Sequence, residues 1–327
     1  MVTRRRICLA LGASTLTAPR ALLAQQNSSK IPHVVYLSQG SDATRGVFLG
    51  AFRDGLREFG WIDGKNIIID VQWAPAYEFP QVAASLVKRN PAAIVSTCIP
   101  STRAAKGATT TIPVVMSVNG DPVESGLVAS LARPGANVTG TSTLFEELIP
   151  KWLEIITMTV PDARTVAVMA NPESGSDEFW WAQVQQAAER IRVNVVRADA
   201  HTAADLDHAF ASMNKQRAGA FVLMVDAYFL NEIQRIVMLA NEYKLPGVYG
   251  FREYAEAGGL ISYGLSYRDY FKSVARYVDK VLRGTKPADL PVEQPTKIEL
   301  VINLAAAKNL GVTIPGQILA RTNKLIE

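Results

Sequence analysis

The sequence predicts an α/β protein of two Rossmann-like lobes, each built on a parallel sheet. Three observations carry this. Short unbroken apolar runs, such as residues 34–37 and 220–225, suit strands buried on both faces. Segments of helical period alternate with them, the rhythm of βαβ units. The rhythm runs once from residue 34 to about residue 140 and restarts at residue 165, within 327 residues, a length that suits two domains of about 150 residues each.

In the first set, residues 34–37 form a strand. Val47, Phe48, Ala51, Phe52, Leu56 and Phe59 follow at helical spacing, and Gly60 ends that helix. Residues 67–71 are the second strand, 79–89 a helix, 93–96 the third strand and 101–108 a helix. Ile112-Pro113-Val114-Val115-Met116 starts a fourth strand, with proline at its entry, and 138–140 is a brief fifth. In the second set, strands at 165–170, 194–196, 220–225, 247–249 and 260–263 alternate with helices at 177–192, 203–216 and 229–243. Residues 269–283 then form an amphipathic helix with Phe271, Val274, Val278 and Leu282 on one face. Pro287, Pro291 and Pro295 mark a connection, followed by a strand at 298–302 and a helix at 305–310. These last residues are too few for a third lobe and are expected to complete the two already formed.

The net charge of +4 comes from the N-terminus. Arg4, Arg5, Arg6 and Arg20 precede any acidic residue, and the 34 basic side chains less these four equal the 30 acidic ones. A neutral remainder offers no clustered charge for nucleic acid, which is bound by neutralising phosphates. Residues 1–24 have the layout of an export signal: a basic start, a short, weakly apolar stretch over 7–18, and Ala21-Leu22-Leu23-Ala24 before a cut. Adjacent arginines and modest hydrophobicity resemble a twin-arginine signal more than a general secretory one. An exported, periplasmic product is expected. Cys8 lies in that leader, which leaves Cys98 alone, so no intramolecular disulfide or thiolate metal cluster is expected. His33, His201 and His208 fit no zinc spacing, and no metal or cofactor is expected.

Motifs for chemistry are absent from the sequence: no Gly-x-Ser-x-Gly elbow, no Gly-x-Gly-x-x-Gly, no phosphate-binding Gly-Lys-Thr loop and no His-Glu-x-x-His. Glu146-Glu147 are adjacent and point to different faces, so they make no catalytic pair. A binding protein is expected. A hydrolase or isomerase on the same scaffold stays open, to be separated by turnover of candidate solutes.

Longer stretches resemble a family. Residues 120–140 (GDPVESGLVASLARPGANVTG), 245–254 (LPGVYGFREY) with 257–264 (AGGLISYG), 277–284 (YVDKVLRG) with 287–295, and 300–304 with 310–315 are similar to bacterial ABC-transporter substrate-binding proteins of the tryptophan and tyrosine type. The likeness spans about residues 31–320. One departure is Ala136, where the family has glycine before Asn137; a side chain there means this position needs no positive φ. The resemblance implies a type I periplasmic-binding-protein architecture with three interlobe crossings. One lobe would take residues 31–142 plus about 264–290, the other 143–263 plus about 291–327. It further implies a monomer that captures a small solute between its lobes by hinge closure and delivers it to a membrane ABC permease with its ATPase. A sensory role, with a membrane receptor in place of the permease, is the alternative; neighbouring genes would discriminate.

In that architecture the loops at the carboxyl ends of strands face the cleft, which nominates Ser38, Gln39, Thr97, Ser101, Ser117 and Asp121 on the first lobe. Asn171, Asp226, Tyr228, Tyr249 and Phe251 are their counterparts on the second. For an amino acid ligand, Ser38, Thr97 and Ser101 suit the carboxylate, since each precedes or opens a helix. Asp121 and Asp226 suit the ammonium, and Tyr228, Tyr249 and Phe251 an apolar or aromatic side chain. Ser38 and Thr97 also suit helix capping, Asp121 before Pro122 a turn, and Asn171-Pro172 a turn. Trp73 and Trp180-Trp181 read as packing residues, and Cys98 as a bystander.

Overall fold

A computed structural model describes residues 31–173, 177–295 and 297–327. The leader read at residues 1–24 lies outside the described residues. In the first lobe, β1 (His33–Ser38), β2 (Ile68–Trp73), β3 (Ala93–Ser96), β4 (Val114–Asn119) and β5 (Val138–Thr143) form one parallel sheet in the order β2-β1-β3-β4-β5. The helices between them are α1 (Asp42–Glu58), α2 (Phe79–Val87) and α3 (Ile99–Ala108). Val34 and Tyr36 of β1 pack with Phe52 and Leu56 of α1, whereas Val35 and Leu37 pack with Phe79 and Leu86 of α2. Both faces are therefore sealed, which is why β1 is apolar without alternation.

The chain crosses to the second lobe after Thr143 and forms α4 (Ile149–Thr159), a helix the sequence reading leaves unassigned. Pro150 opens it, and Ile149, Trp152, Leu153, Ile155 and Ile156 are buried at helical spacing. Then follow β6 (Thr165–Ala170), α5 (Asp177–Ile191), β7 (Asn194–Asp199), α6 (Ala203–Lys215) and β8 (Ala220–Leu223). The single helix expected at 229–243 is two, α7 (Ala227–Asn231) and α8 (Ile233–Glu242), interrupted at Glu232. β9 (Gly247–Phe251), α9 (Arg252–Glu256) and β10 (Ile261–Leu265) complete this run.

At Ser266 the chain returns to the first lobe. Ser266 caps α10 (Tyr267–Leu282) by accepting from Asp269 N at 3.3 Å, and the apolar stripe of α10 packs along α1 and beneath β3, β4 and β5. A third crossing follows. Glu293 N donates to Gly140 O at 3.0 Å and Ser142 N to Glu293 O at 3.0 Å, so the crossing strand runs beside β5 before it leaves. It then forms β11 (Glu299–Asn303), α11 (Leu304–Leu310), α12 (Gly316–Leu319) and β12 (Lys324–Ile326). The second sheet has the order β12-β11-β10-β9-β8-β6-β7. It is not wholly parallel, because β11 pairs antiparallel with β10. β10 runs toward the hinge, and a chain returning from the hinge without a long loop must enter the sheet running away from it.

The middle crossing is held by a buried carboxylate. Ser266 Oγ donates to Glu253 Oε1 at 2.8 Å, and Tyr267 N approaches Oε2 at 3.5 Å. Burial pushes the Glu253 carboxyl above the usual carboxylate range, against the bond from Ser266 and nearby Arg252, which favour its charged form. The folded state thus holds this proton more tightly than the unfolded chain. The residue favours folding below the ordinary carboxylate pKa, about 4.3, and that contribution is lost as pH rises through the raised folded value. Glu253→Gln should therefore raise Tm by about 2 °C near neutral pH, and the difference should shrink or reverse below about pH 4. A melt series across that range checks it; a lower Tm at neutral pH would mean the charged form is the one required.

Candidate functional site

Each sheet reverses its winding once, between β1 and β3 and between β6 and β8. Such switch points open a crevice at the carboxyl ends of the strands. Here each is spanned by a side-chain pair. Thr97 Oγ1 donates to Ser38 Oγ at 2.6 Å in the first lobe, and Asn171 Nδ2 donates to Asp226 Oδ1 at 3.2 Å in the second. Between the lobes lies a cleft of about 330 Å³, near the lower end of the range for small-ligand pockets, roughly 300–1,000 Å³. The two lobes are also linked by Asn231 of α7, whose Nδ2 donates to Ala43 O of α1 at 2.8 Å.

Of the residues nominated from sequence, Gln39, Thr97, Ser117, Asp226 and Phe251 line the cleft. The others stand behind it or away from it. Ser38 is buried one bond behind Thr97. Ser101 is fully buried, accepting from Cys98 N at 3.2 Å and donating to Cys98 O at 2.9 Å, so its hydroxyl serves the start of α3. Asp121 caps its own turn, accepting from Val123 N at 2.7 Å and Glu124 N at 3.1 Å, and is not in the lining. Asn171 holds both Asp226 and Glu173 N.

Tyr228 meets Asp226 through its backbone N–H, at 2.8 Å. Its hydroxyl has no hydrogen-bond partner, and burial, with Glu232 adding to it, pushes its pKa up to about 12. Tyr249 lies in the core, stacked on Tyr254 at 4.7 Å and edge-on to Phe221 at 5.6 Å. Tyr249 shares a face of β9 with Phe251 but lies two residues, about 6.6 Å, back from the carboxyl end of the strand, so only Phe251 reaches the cleft.

Several lining residues carried no signal in the sequence reading. Arg45 and Phe48 both face the cleft from α1, where spacing alone marks Phe48 as core and Arg45 as a solvated charge. Among the described residues no carboxylate pairs with the Arg45 guanidinium. Phe145 comes from the first crossing and meets Phe251 edge-on at 5.3 Å. Tyr267, Tyr270 and Phe271 come from α10, where Phe271 stacks on Phe48 at 4.9 Å. Trp180 and Cys98, read as packing and bystander residues, also line the cleft. The useful signal was there: Tyr267, Tyr270 and Phe271 fall at i, i+3 and i+4 of one helix, but nothing local says that their helix faces a cleft.

The site thus offers seven aromatic rings, a cation from the first lobe and an anion from the second. Asp226 Oδ1 accepts both the bond from Tyr228 N that caps α7 and the bond from Asn171 Nδ2, and Oδ2 has no partner among the described residues. Arg45 and Asp226 provide opposite charges for a zwitterion, and the rings provide walls for an apolar or aromatic side chain.

Two lobes joined by three crossings around such a cleft define a type I periplasmic-binding-protein fold. The sequence profile of the family described as "ABC transporter substrate binding protein" matches residues 35–326. The chain belongs to that family. It is similar to a tyrosine-binding protein of Clostridioides difficile, at 29% identity over 262 residues that cover 79% of this chain and 75% of that protein. Among solved structures, a conserved domain protein of Vibrio cholerae superposes with TM-score 0.70 at 30% identity, covering 90% of this chain and all of that one. A domain from Streptococcus pneumoniae in complex with L-Trp superposes with TM-score 0.69 at 23% identity, covering 91% of this chain and 100% of that chain. The family consists of binding proteins, and membership implies a small-molecule ligand and an ABC permease as partner. No helix among the described residues is long and apolar enough to cross a membrane.

Proposed function

We propose that this protein captures an aromatic amino acid outside the cytoplasm and presents it to an ABC importer. The observation that carries the reading is that Arg45 from one lobe and Asp226 from the other line a single cleft together with seven aromatic rings. Arg45, with the start of α3, takes the carboxylate; Asp226 takes the ammonium. Phe48, Phe145, Phe251 and Phe271 enclose the ring. Relatives named for tyrosine and bound to L-Trp support this ligand class.

The mechanism follows from where these groups sit. Ligand docks on one lobe, and contacts from the other favour the closed state by their differential free energy. The three crossings act as the hinge, and the closed monomer is the form that the permease reads. Export as a periplasmic protein completes the reading, with residues 1–24 as the signal.

A thermal-shift screen of the twenty amino acids tests it. At a ligand concentration 100 times Kd the native state gains about 2.7 kcal/mol. L-Tyrosine, L-tryptophan or L-phenylalanine should therefore raise Tm by about 5–10 °C. Shifts confined to aliphatic or charged amino acids would overturn the proposal.

A further inference from the structure

Behind the ligand cleft, on the other side of α10, lies a second cavity of about 380 Å³. Its walls are mixed: Thr141, Ser266, Asp269, Ser273 and Glu293 line it together with Leu265 and Pro295. The Thr141 hydroxyl is fully buried and lies beside the Tyr270 hydroxyl. The cavity opens to solvent past the exposed side chains of Asp269 and Lys297, so water fills it. Among the described residues, Tyr270 alone lines both this cavity and the ligand cleft.

Tyr270 is pinned at both ends. Its backbone belongs to α10, and its ring meets Phe271 edge-on at 5.3 Å. At the far end its hydroxyl accepts a hydrogen bond from Ser117 Oγ, at 3.2 Å, within β4 two residues before the strand ends. A third cavity, of about 200 Å³, also borders the cleft, but there Thr143 and Phe145 of the crossing chain itself form the boundary. No single side chain separates those two spaces. At Tyr270 one does.

We propose that Tyr270 is a specificity-determining residue: its ring is the wall that limits how long an occupant the cleft accepts, and its removal joins the cleft to the water-filled space behind. The statement about ligands rests on the aromatic reading above, but the statement about the wall does not. Extension past the wall would displace water and meet hydroxyls and carboxylates beside Leu265 and Pro295, so short additions with a polar end are the ones that the enlarged site would hold.

The test is calorimetry of wild type, Tyr270→Ala, Tyr270→Leu and Tyr270→Phe against L-tyrosine and a series extended at either end. The series comprises O-methyl-, O-ethyl- and O-(2-hydroxyethyl)-L-tyrosine, and L-tyrosyl-glycine. In wild type, affinity should fall steeply with extension. In the alanine or leucine variant, at least one extended ligand should gain about tenfold or more relative to L-tyrosine, a change of about 1.4 kcal/mol. Tyr270→Phe retains the ring and should retain the wild-type ranking. If the shortened variants reject the series as wild type does, the proposal is overturned.

If wild type binds no aromatic amino acid, the functional reading fails, and a crystal structure of Tyr270→Ala or Tyr270→Leu still decides the wall. One continuous cavity supports it; two cavities kept apart by collapse of neighbours overturn it. Should neither variant fold, the structure of liganded wild type decides: an occupant stopped at the Tyr270 ring supports the proposal, and one that passes it into the second cavity overturns it.

Discussion

Replacing Asp226 by asparagine should weaken binding of L-tyrosine and L-tryptophan by about 100-fold or more and leave the Tm of the unliganded protein within about 2 °C of the parent. The two effects separate because the two carboxylate oxygens have different duties. Oδ1 accepts from Tyr228 N at 2.8 Å and from Asn171 Nδ2 at 3.2 Å, which caps α7 and spans the switch point of the second sheet. An asparagine oxygen can take over that role. Oδ2 is the one left for a ligand ammonium, and an amide in its place carries no charge.

An ammonium enclosed without its counter-ion costs on the order of 3–5 kcal/mol. That is at least a hundredfold in affinity, at about 1.4 kcal/mol for each factor of ten. Alanine is the less informative change, since loss of the cap alone costs about 1 kcal/mol. Titration calorimetry with a parallel melt reads both quantities. Wild-type affinity in Asp226→Asn would place the ammonium elsewhere in the cleft.

Gly140→Ala should produce the largest loss of stability of any single methyl added to the first lobe, beyond about 4 kcal/mol, seen as a Tm fall of more than about 10 °C or as failure to accumulate folded protein. Gly140 sits within β5 at φ +134°, a conformation that L side chains rarely adopt. A Cβ there would lie 2.1 Å from Met116 O and 2.6 Å from Met116 N, the backbone of the adjacent strand. Neither a rotamer change nor a side-chain shift relieves a clash between main chains. The carbonyl of Gly140 also accepts from Glu293 N at 3.0 Å, so displacement of β5 would carry the third crossing with it. A circular-dichroism melt measures the loss, and a fall under about 3 °C would show that β4 and β5 separate more easily than this packing implies.

Glycine at that position was readable as a site of close backbone approach, because glycine inside a strand often marks one. Ala136 is the converse case. The positive φ in that turn belongs to Gly135, at +87°, and not to Ala136, which is why a side chain is tolerated there. Such local rules also recovered most strands, since an apolar run bounded by turn residues reflects burial on both faces. They passed over α4, where a helix begins at Leu148-Ile149-Pro150 directly after a 3₁₀ turn and no polar cap announces it. They also passed over β12, whose residues Lys324 and Leu325 are exposed and lack a buried pattern.

The candidate site divides along the same line. Gln39, Thr97, Ser117, Asp226 and Phe251 were legible because the carboxyl end of a parallel strand faces the crevice whatever the rest of the fold does. Ser101 and Tyr249 satisfy the same sequence rule yet serve a helix cap and the core, since Ser101 turns back to Cys98 and Tyr249 lies two residues short of the strand end. Arg45, Phe48, Tyr267, Tyr270 and Phe271 belong to helices, and helical spacing says only that they share a face.

Periodicity, turn residues and strand ends, all short-range properties, were enough to establish two wound α/β units and half of a cleft. The aromatic wall and its cation required knowledge of where α10 comes to rest. That helix follows β10 in sequence but packs in the other lobe along α1, residues more than 200 positions away. Contacts between segments so far apart leave no mark on local pattern, so only the folded chain brings Arg45, Tyr270 and Asp226 to one place.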